Sequence, residues 1–317
     1  MPRRHAPRIL RGLAAVSTAP PRAVVTVGVF DGVHRAHQRL IRTAVRMARR
    51  TRGTSIAVTF DPDPQHVLDP VREHPALMPL AARVKQFASL GLDWVWVIPF
   101  TRRFARLSAN AFVRRVLIGR LRARAVVVGE RFVFGHGRRG DLAVLRAVGA
   151  AHGMQVVSVR DVTHAGAPIS SSRIRRAIAS GHLHAARALL GRPPALYGTV
   201  VRGLGRGRRL GFPTANLRLT AQVIPPRGVY AVTVQGLAAR RAWPGVMNLG
   251  VRPTFGPGAL VCEVHLLGFA GTLLGIPVEV ALLARLREER CFPSAQALRR
   301  QIRRDLLRAR RLLARLP

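Results

Sequence analysis

Five short apolar runs of β type occupy the first 190 residues, set apart by helix-length segments. VVTVGVF (24–30) precedes a helical pattern over 38–50, and TSIAVTF (54–60) ends at DPDPQHVLDP. Residues 79–90 read as a helix and DWVWVIPF (93–100) as the third strand. A helix over about 108–122 precedes AVVVG (125–129), and MQVVSV (154–159) is the fifth strand. Short strands joined through helices require right-handed crossovers. The expectation is an α/β domain, a mostly parallel sheet with helices on both faces.

The texture changes after SSSRIRRAIASGHLHAARALLGRPP (170–194). Short β-type runs then follow one another without helices: YGTVVRG, GVYAVTV, PGVMNLG, LVCEVHLLG and PVEVALLARL. That pattern predicts an antiparallel barrel or sandwich. The last segment, 294–316, carries apolar residues at 298, 302, 306, 309, 312, 313 and 316, one helical stripe with arginines opposite. The boundary falls near Arg192–Leu196, giving domains 1–192 and 193–317. No internal repeat or low-complexity linker is visible.

A chain of 317 residues is long enough for two cores. It contains no run of about 18 uncharged apolar residues, so a membrane-spanning helix is not expected. The first 22 residues are Arg-rich and acid-free, like a transit peptide. They nevertheless lead into the first strand without an apolar signal core or cleavage pattern, so targeting is not the expectation. Cys262 and Cys291 lie in no metal-binding spacing and read as reduced thiols of a cytoplasmic protein. The formal net charge is +39, and Lys85 is the only lysine. Such a charge attracts polyanions. The arginines are scattered, however, without a basic block or the aromatic interleaving of a base-stacking surface. Compositional bias explains them better than a nucleic-acid partner.

Where the first strand ends, FDGVHRAH places His34 in a turn and His37 in the first turn of a helix. A helix mouth presents unpaired N–H groups and partial positive charge, a ready phosphate site. The spacing of three brings both imidazoles to one side of it. There they can donate hydrogen bonds to a triphosphate and stabilise a departing pyrophosphate, while Asp31-Gly32 supplies the sharp turn. A pair of surface or metal-binding histidines is the bland alternative, and two His without a carboxylate or Cys cluster make a poor metal site. ISSSRIR (169–175) offers serine hydroxyls at a helix start, with Arg173 and Arg175 able to grip phosphate. Alone, it is an ordinary cap.

The second constellation is GTVVRGLGRGRRLGFPTANL (198–217). Glycines at 203, 205 and 207 let backbone N–H groups approach phosphates. The Thr214 hydroxyl and Asn216 amide are hard oxygen donors facing one way on an extended chain, a pair suited to Mg²⁺. A simple turn is the alternative reading of PTAN alone.

Taken together these segments resemble bacterial bifunctional riboflavin kinase/FAD synthetases. GVFDGVHRAH, VTFDPDP, VVVGERFVFGHGRRGD, ISSSRIR and ALLGRP match the FMN adenylyltransferase half. RGLGRGRRLGFPTANL, RGVYAV, GVMNLGVRPTF, CEVHLLGF and LREERCF match the riboflavin kinase half. The resemblance implies a nucleotidylyltransferase-like domain followed by a riboflavin-kinase β-barrel. It implies ATP and Mg²⁺ for both steps, with riboflavin, FMN and FAD as substrates and products. In the first half it implies phosphate-binding roles for His34, His37, Ser171, Ser172 and Arg175, with Gly28, Phe30 and Asp31 shaping the ATP site. It also implies a flavin pocket near Phe60, Asp61 and Phe132. In the second half it implies Thr214 and Asn216 on magnesium–ATP, and Gly205, Gly207 and Gly211 along the phosphates. Glu263 becomes the general base for the ribityl hydroxyl, and Glu289 and Phe292 belong to the flavin-side loop.

Several positions depart from the family pattern. Ala36 stands for the glycine of HxGH, Asp63 for the second His of TFDPHP, Arg131 for an acid, and Ser172 for Thr. GFAGTLLG (268–275) replaces a DFxxDLYG-like loop. Two alternatives follow: a paralogue with the kinase only, or a basic nucleic-acid- or flavin-binding protein reusing the fold. The oligomeric state is not legible.

Overall fold

The computed structural model describes residues 6–16, 20–236, 241–251 and 260–314. Arg252–Phe255 of the GVMNLGVRPTF motif and positions 315–316 of the expected terminal helix lie outside the described residues. The chain divides into two compact units, Met1–His74 with Leu80–Ser170, and Pro75–Pro79 with Ser171–Pro317.

The first unit runs β1 (Arg8–Arg11), β2 (Val24–Val27), α1 (Arg35–Arg50), β3 (Ser55–Asp61), α2 (Pro64–Leu68), α3 (Leu80–Ser89), β4 (Trp94–Pro99), α4 (Arg102–Ala105) and α5 (Ala109–Phe112). It continues with β5 (Ala125–Gly129), α6 (Leu142–Ala150), β6 (Gln155–Val159) and a two-stranded ribbon, β7 (Thr163–His164) and β8 (Ala167–Pro168). The sheet has the order β1-β4-β3-β2-β5-β6, and every pairing is parallel. Alternate residues of β2 serve opposite faces. Val25 and Val27 join a core with Trp96, Phe112 and Leu145, while Val24 packs with Ala44 and Ala48 of α1. Chain order reverses at β2, so the crevice beyond its carboxyl end is where an open α/β sheet binds ligands.

Two features of this unit were not expected. Arg8–Arg11, inside the Arg-rich leader, is an edge strand parallel to β4, with only Leu10 buried among exposed neighbours. The single helix expected over 108–122 begins at the Ser108 cap and then widens into a π-helical stretch, Val113–Arg120, burying Val113, Val116 and Leu117.

The second unit contains α7 (Ser171–Ala179), α8 (Leu183–Leu190), β9 (Ala195–Val201), α9 (Arg206–Arg209), β10 (Ala215–Leu219), β11 (Gly228–Gly236), β12 (Trp243–Val251), β13 (Leu260–Leu266), β14 (Pro277–Arg287) and α10 (Ala295–Leu313). Six strands close an antiparallel barrel in the order β10-β13-β12-β11-β14-β9. The open choice between barrel and sandwich is thereby decided. The sixth strand is ANLRL, which the sequence hides because only Leu217 of its five residues is fully buried. The barrel interior holds Leu217, Tyr230, Met247, Leu249, Cys262 and Val264. Ala309, Leu312 and Leu313 of α10 cover Val229, Ala231 and Val246 on the outer face.

The compact units part at Ser170/Ser171, whereas the sequence motifs change character at 192/193. Two contacts account for the difference. Arg175 donates through Nε to the Pro75 carbonyl at 2.9 Å, and Leu183 joins the barrel core cluster.

Candidate active sites

At the carboxyl end of β2 the backbone turns sharply. Phe30 adopts the left-handed conformation (φ 55°, ψ 26°) ahead of a 3₁₀ turn, Asp31–Val33, in which Gly32 has φ 79°. The Phe30 ring is 1% exposed and lies over Gly28, where a Cβ would meet it at 3.2 Å. Gly28 therefore clears space for Phe30, and Phe30 supports the site from below. Its ring meets His37 edge-on at 5.2 Å and Phe87 of α3 at 5.5 Å.

His34 is the N-cap of α1, and its Nδ1 accepts the His37 backbone N–H at 3.4 Å. The two imidazoles stack with centroids 3.5 Å apart and planes inclined by 20°. Burial first, then His34, then Arg83 pushes the His37 pKa well below its ordinary value of 6.5. His37 is neutral at pH 7, and its Nδ1 has no hydrogen-bond partner among the described residues. A buried polar atom left in that state costs about 1–3 kcal/mol unless a ligand or water satisfies it. Ala36, at the family's glycine position, lies within the first helical turn of α1.

Arg83 of α3 was missed from the sequence. It is 5% exposed, and its Nη1 donates to Thr59 Oγ1 at 3.1 Å and to the Phe60 carbonyl at 3.2 Å. Burial lowers its pKa, while Asp31, Asp63 and Asp61 pull it back up. Asp31 itself is 2% exposed. Arg83 thus pins the end of β3 beside the turn that carries the histidines. In a chain with 53 basic residues, nothing local distinguishes it.

Phe60 and Phe132, singled out separately, are the two ends of one aromatic ladder. Phe60 lies 6.0 Å from Phe104, Phe104 6.3 Å from Phe112, Phe112 5.7 Å from Phe134, and Phe134 stacks on Phe132 at 5.2 Å. Phe60, Phe112 and Phe134 are buried in the core, and Phe104 and Phe132 are half-buried. Asp61 is exposed at the foot of β3. Two of the family departures have local partners. Asp63 caps α2 through Gln65 N–H at 3.0 Å, and Arg131 forms an ion pair with Asp161. Ser171 opens α7 and Ser172 is exposed on it. This helix belongs to the second unit, where Arg175 is tied to Pro75.

In the barrel, Thr214 and Asn216 line a cleft of about 320 Å³ together with Arg202, Gly203, Gly205 and Arg208. A Cβ on Gly203 would overlap the Asn216 carboxamide, and one on Gly207 would come within 2.8 Å of Thr214 Oγ1. These glycines are cut-outs for the two oxygen-donor side chains. Gly205 and Gly211, with φ of 69° and 83°, shape the turns on either side. His265 Nδ1 holds the turn by a 2.7 Å hydrogen bond to the Pro213 carbonyl. Asn216 stands directly opposite Glu263 in the β10–β13 ladder, so both side chains share the outer face. Cys262, the next residue, points into the core. Burial, with Glu263 adding to it, pushes its thiol up to about 12. GFAGTLLG borders a second cleft, of about 450 Å³, through Phe269 and Gly271–Leu274, with Thr214 on its rim. Farther along the same unit, Glu289 sits over Gly250, and Phe292 lies under Arg287 and Arg290, 5.5 and 4.9 Å from the ring centroid.

Residues 16–173 match the model of the FAD synthetase family, and residues 190–313 that of riboflavin kinase. Over 304 residues the chain is 39% identical to the bifunctional riboflavin kinase/FMN adenylyltransferase of Escherichia coli, covering 96% of this chain and 97% of that one. The chain belongs to that family. The Pseudomonas fluorescens enzyme of the same name is 38% identical, over 97% of this chain and 98% of its own. A crystal structure described as a macrolide-efflux protein from Streptococcus pneumoniae superposes with a TM-score of 0.81. It is 31% identical and covers 92% of this chain and 95% of that one. In this chain no described helix is long and apolar enough to cross a membrane. The protein is a kinase and a nucleotidyltransferase in one polypeptide, with riboflavin, FMN and ATP as its substrates.

Proposed function

We propose that the two reactions are divided between the constellations described above, with the functional boundary at residues 192/193. In the barrel, the Glu263 carboxylate accepts the proton of the ribityl 5′-hydroxyl as that oxygen attacks the γ-phosphorus of ATP. The products are FMN and ADP. A positioned base contributes about 10²–10⁴-fold to such a step. The Thr214 hydroxyl and Asn216 carboxamide, set over their glycine cut-outs, fit Mg²⁺. That ion would neutralise charge on the transferring phosphoryl group. Gly205, Gly207 and Gly211 line the phosphates, and Glu289 and Phe292 the flavin side.

In the first half, an FMN phosphate oxygen attacks the α-phosphorus of a second ATP, and the bond to the β-phosphate oxygen breaks to release pyrophosphate and FAD. His34 and His37 donate N–H groups to the phosphates. Ser171, Ser172 and Arg175 add hydroxyls and positive charge, and Phe60, Asp61 and Phe132 receive the flavin. Positioning and charge neutralisation carry this step, with little need for a base.

The observation that supports this division best is the ladder pairing of Asn216 with Glu263. On this reading a metal–nucleotide ligand stands beside a proton acceptor. We place the enzyme in the cytoplasm, without nucleic acid as a partner. One incubation with riboflavin, ATP and Mg²⁺ tests the reading. FMN should rise first and FAD and pyrophosphate should follow, whereas FMN alone would leave only the kinase.

A further inference from the structure

Glu263 has a carboxamide on both sides. In the β10–β13 ladder it is opposite Asn216, and in the β12–β13 ladder it is opposite Asn248. Directly paired residues of an antiparallel sheet share a face, with Cβ atoms about 4.5–5.5 Å apart. The flanking residues Cys262, Val264, Met247, Leu249 and Leu217 all belong to the barrel core. The three polar residues therefore form one row on the outer face, and all three are half-buried.

The row continues toward the flavin-side loop. Asn248 pairs with Val229, and Val229 with Arg287. Arg287 in turn binds Asp305 of α10 at 2.9 Å and covers Phe292. At a strand spacing of about 4.8 Å, the nucleotide ligand Asn216 is one strand from Glu263 on one side. Asn248 is one strand away on the side of Arg287 and Phe292. Asparagine is depleted in strands. The preceding outward residue of β12, Val246, packs under α10 as a strand residue normally would. A half-buried carboxamide in mid-strand needs a polar neighbour to offset its desolvation, and the ladder provides a carboxylate.

The geometry points to Asn248 as a positioning residue for the kinase step. Its amide N–H holds the Glu263 carboxylate toward the ribityl 5′-hydroxyl whose proton it accepts. This rests on the reading of Glu263 as the base.

The test uses the full chain and four variants, with the melting temperature of each reporting that the barrel is intact. Asn248→Leu should lower kcat for riboflavin phosphorylation about 10- to 100-fold with KM for ATP unchanged, and Asn248→Ser should recover part of the loss. Asn248→Asp places a second carboxylate beside Glu263. A carboxylate there cannot donate to Glu263, so kcat should fall as in Asn248→Leu with KM for ATP unchanged, a split that a purely structural role would not produce. Wild-type kcat in Asn248→Leu or in Asn248→Asp overturns the assignment. Glu263→Gln separates the two levels. If it is inactive while the Asn248 variants behave as wild type, only the role of Asn248 falls. If it keeps full kinase activity, the base assignment falls and the positioning role with it.

Discussion

His34 caps the helix that carries His37, through a 3.4 Å hydrogen bond from the His37 backbone to the His34 ring, and the two rings then stack at 3.5 Å. One histidine thus fixes the backbone of the other. His37→Ala should abolish FAD formation from supplied FMN and leave riboflavin phosphorylation unchanged. His34→Ala should do the same and also lower stability by about 1 kcal/mol through the lost cap. Separate assays of FMN and FAD by chromatography check both, and loss of the kinase from either change would contradict the division of labour.

The depressed pKa of His37 makes stability depend on pH. In the unfolded chain an imidazole titrates near 6.5, whereas in the fold it titrates well below that. Between the two values the unfolded state binds more protons. The associated stability is fully present above about pH 6.5 and is lost as pH falls toward the folded value. Urea midpoints measured from pH 7.5 to 5.5 should fall, and His37→Phe should flatten that slope. Nucleotide phosphates brought against the ring favour its protonated form. ATP binding near pH 6.5 should therefore take up protons, read as a buffer-dependent calorimetric enthalpy.

Arg83 holds the Phe60 carbonyl and the Thr59 hydroxyl next to the buried Asp31. Removing the buried guanidinium leaves the Thr59 hydroxyl and the Phe60 carbonyl without that donor, at a cost of about 1–3 kcal/mol. Arg83→Met should lose most of that in denaturant titrations and abolish FAD synthesis. Arg83→Lys should retain the charge and part of the stability, with a raised KM for FMN because the end of β3 is no longer pinned.

The α/β alternation, the strand positions and the two motif-bearing turns were legible in the sequence. They depend on local periodicity and on short-range spacing, as with His34 and His37. Features made by tertiary pairing were not. β1 hides behind its arginines, and ANLRL is not set apart as a strand because only Leu217 of it is fully buried. The Asn216–Glu263–Asn248 row depends on ladder register between segments up to 47 positions apart. The aromatic ladder draws five phenylalanines from across residues 60–134. Arg83 lacked any local signal, since its meaning comes entirely from being buried.

The two cysteines should differ sharply in reactivity. Cys262 is buried and its thiol is pushed up to about 12, whereas Cys291 is exposed. The thiolate is the reactive form. Ellman's reagent at pH 8 should therefore release one equivalent quickly from the native protein and two after denaturation. Two fast equivalents would show that the strand carrying Glu263 opens readily.

The glycine cut-out under Asn216 gives the most selective change available at the kinase site. A Cβ on Gly203 would occupy the place of the Asn216 carboxamide. Gly203→Ala must push that side chain off the row it shares with Glu263. Riboflavin phosphorylation should fall at least tenfold, with KM for magnesium–ATP rising, because it is the metal–nucleotide ligand that moves. FAD formation from supplied FMN should stay at the wild-type rate. A kinase of normal kcat and KM in Gly203→Ala would remove Asn216 from the nucleotide site.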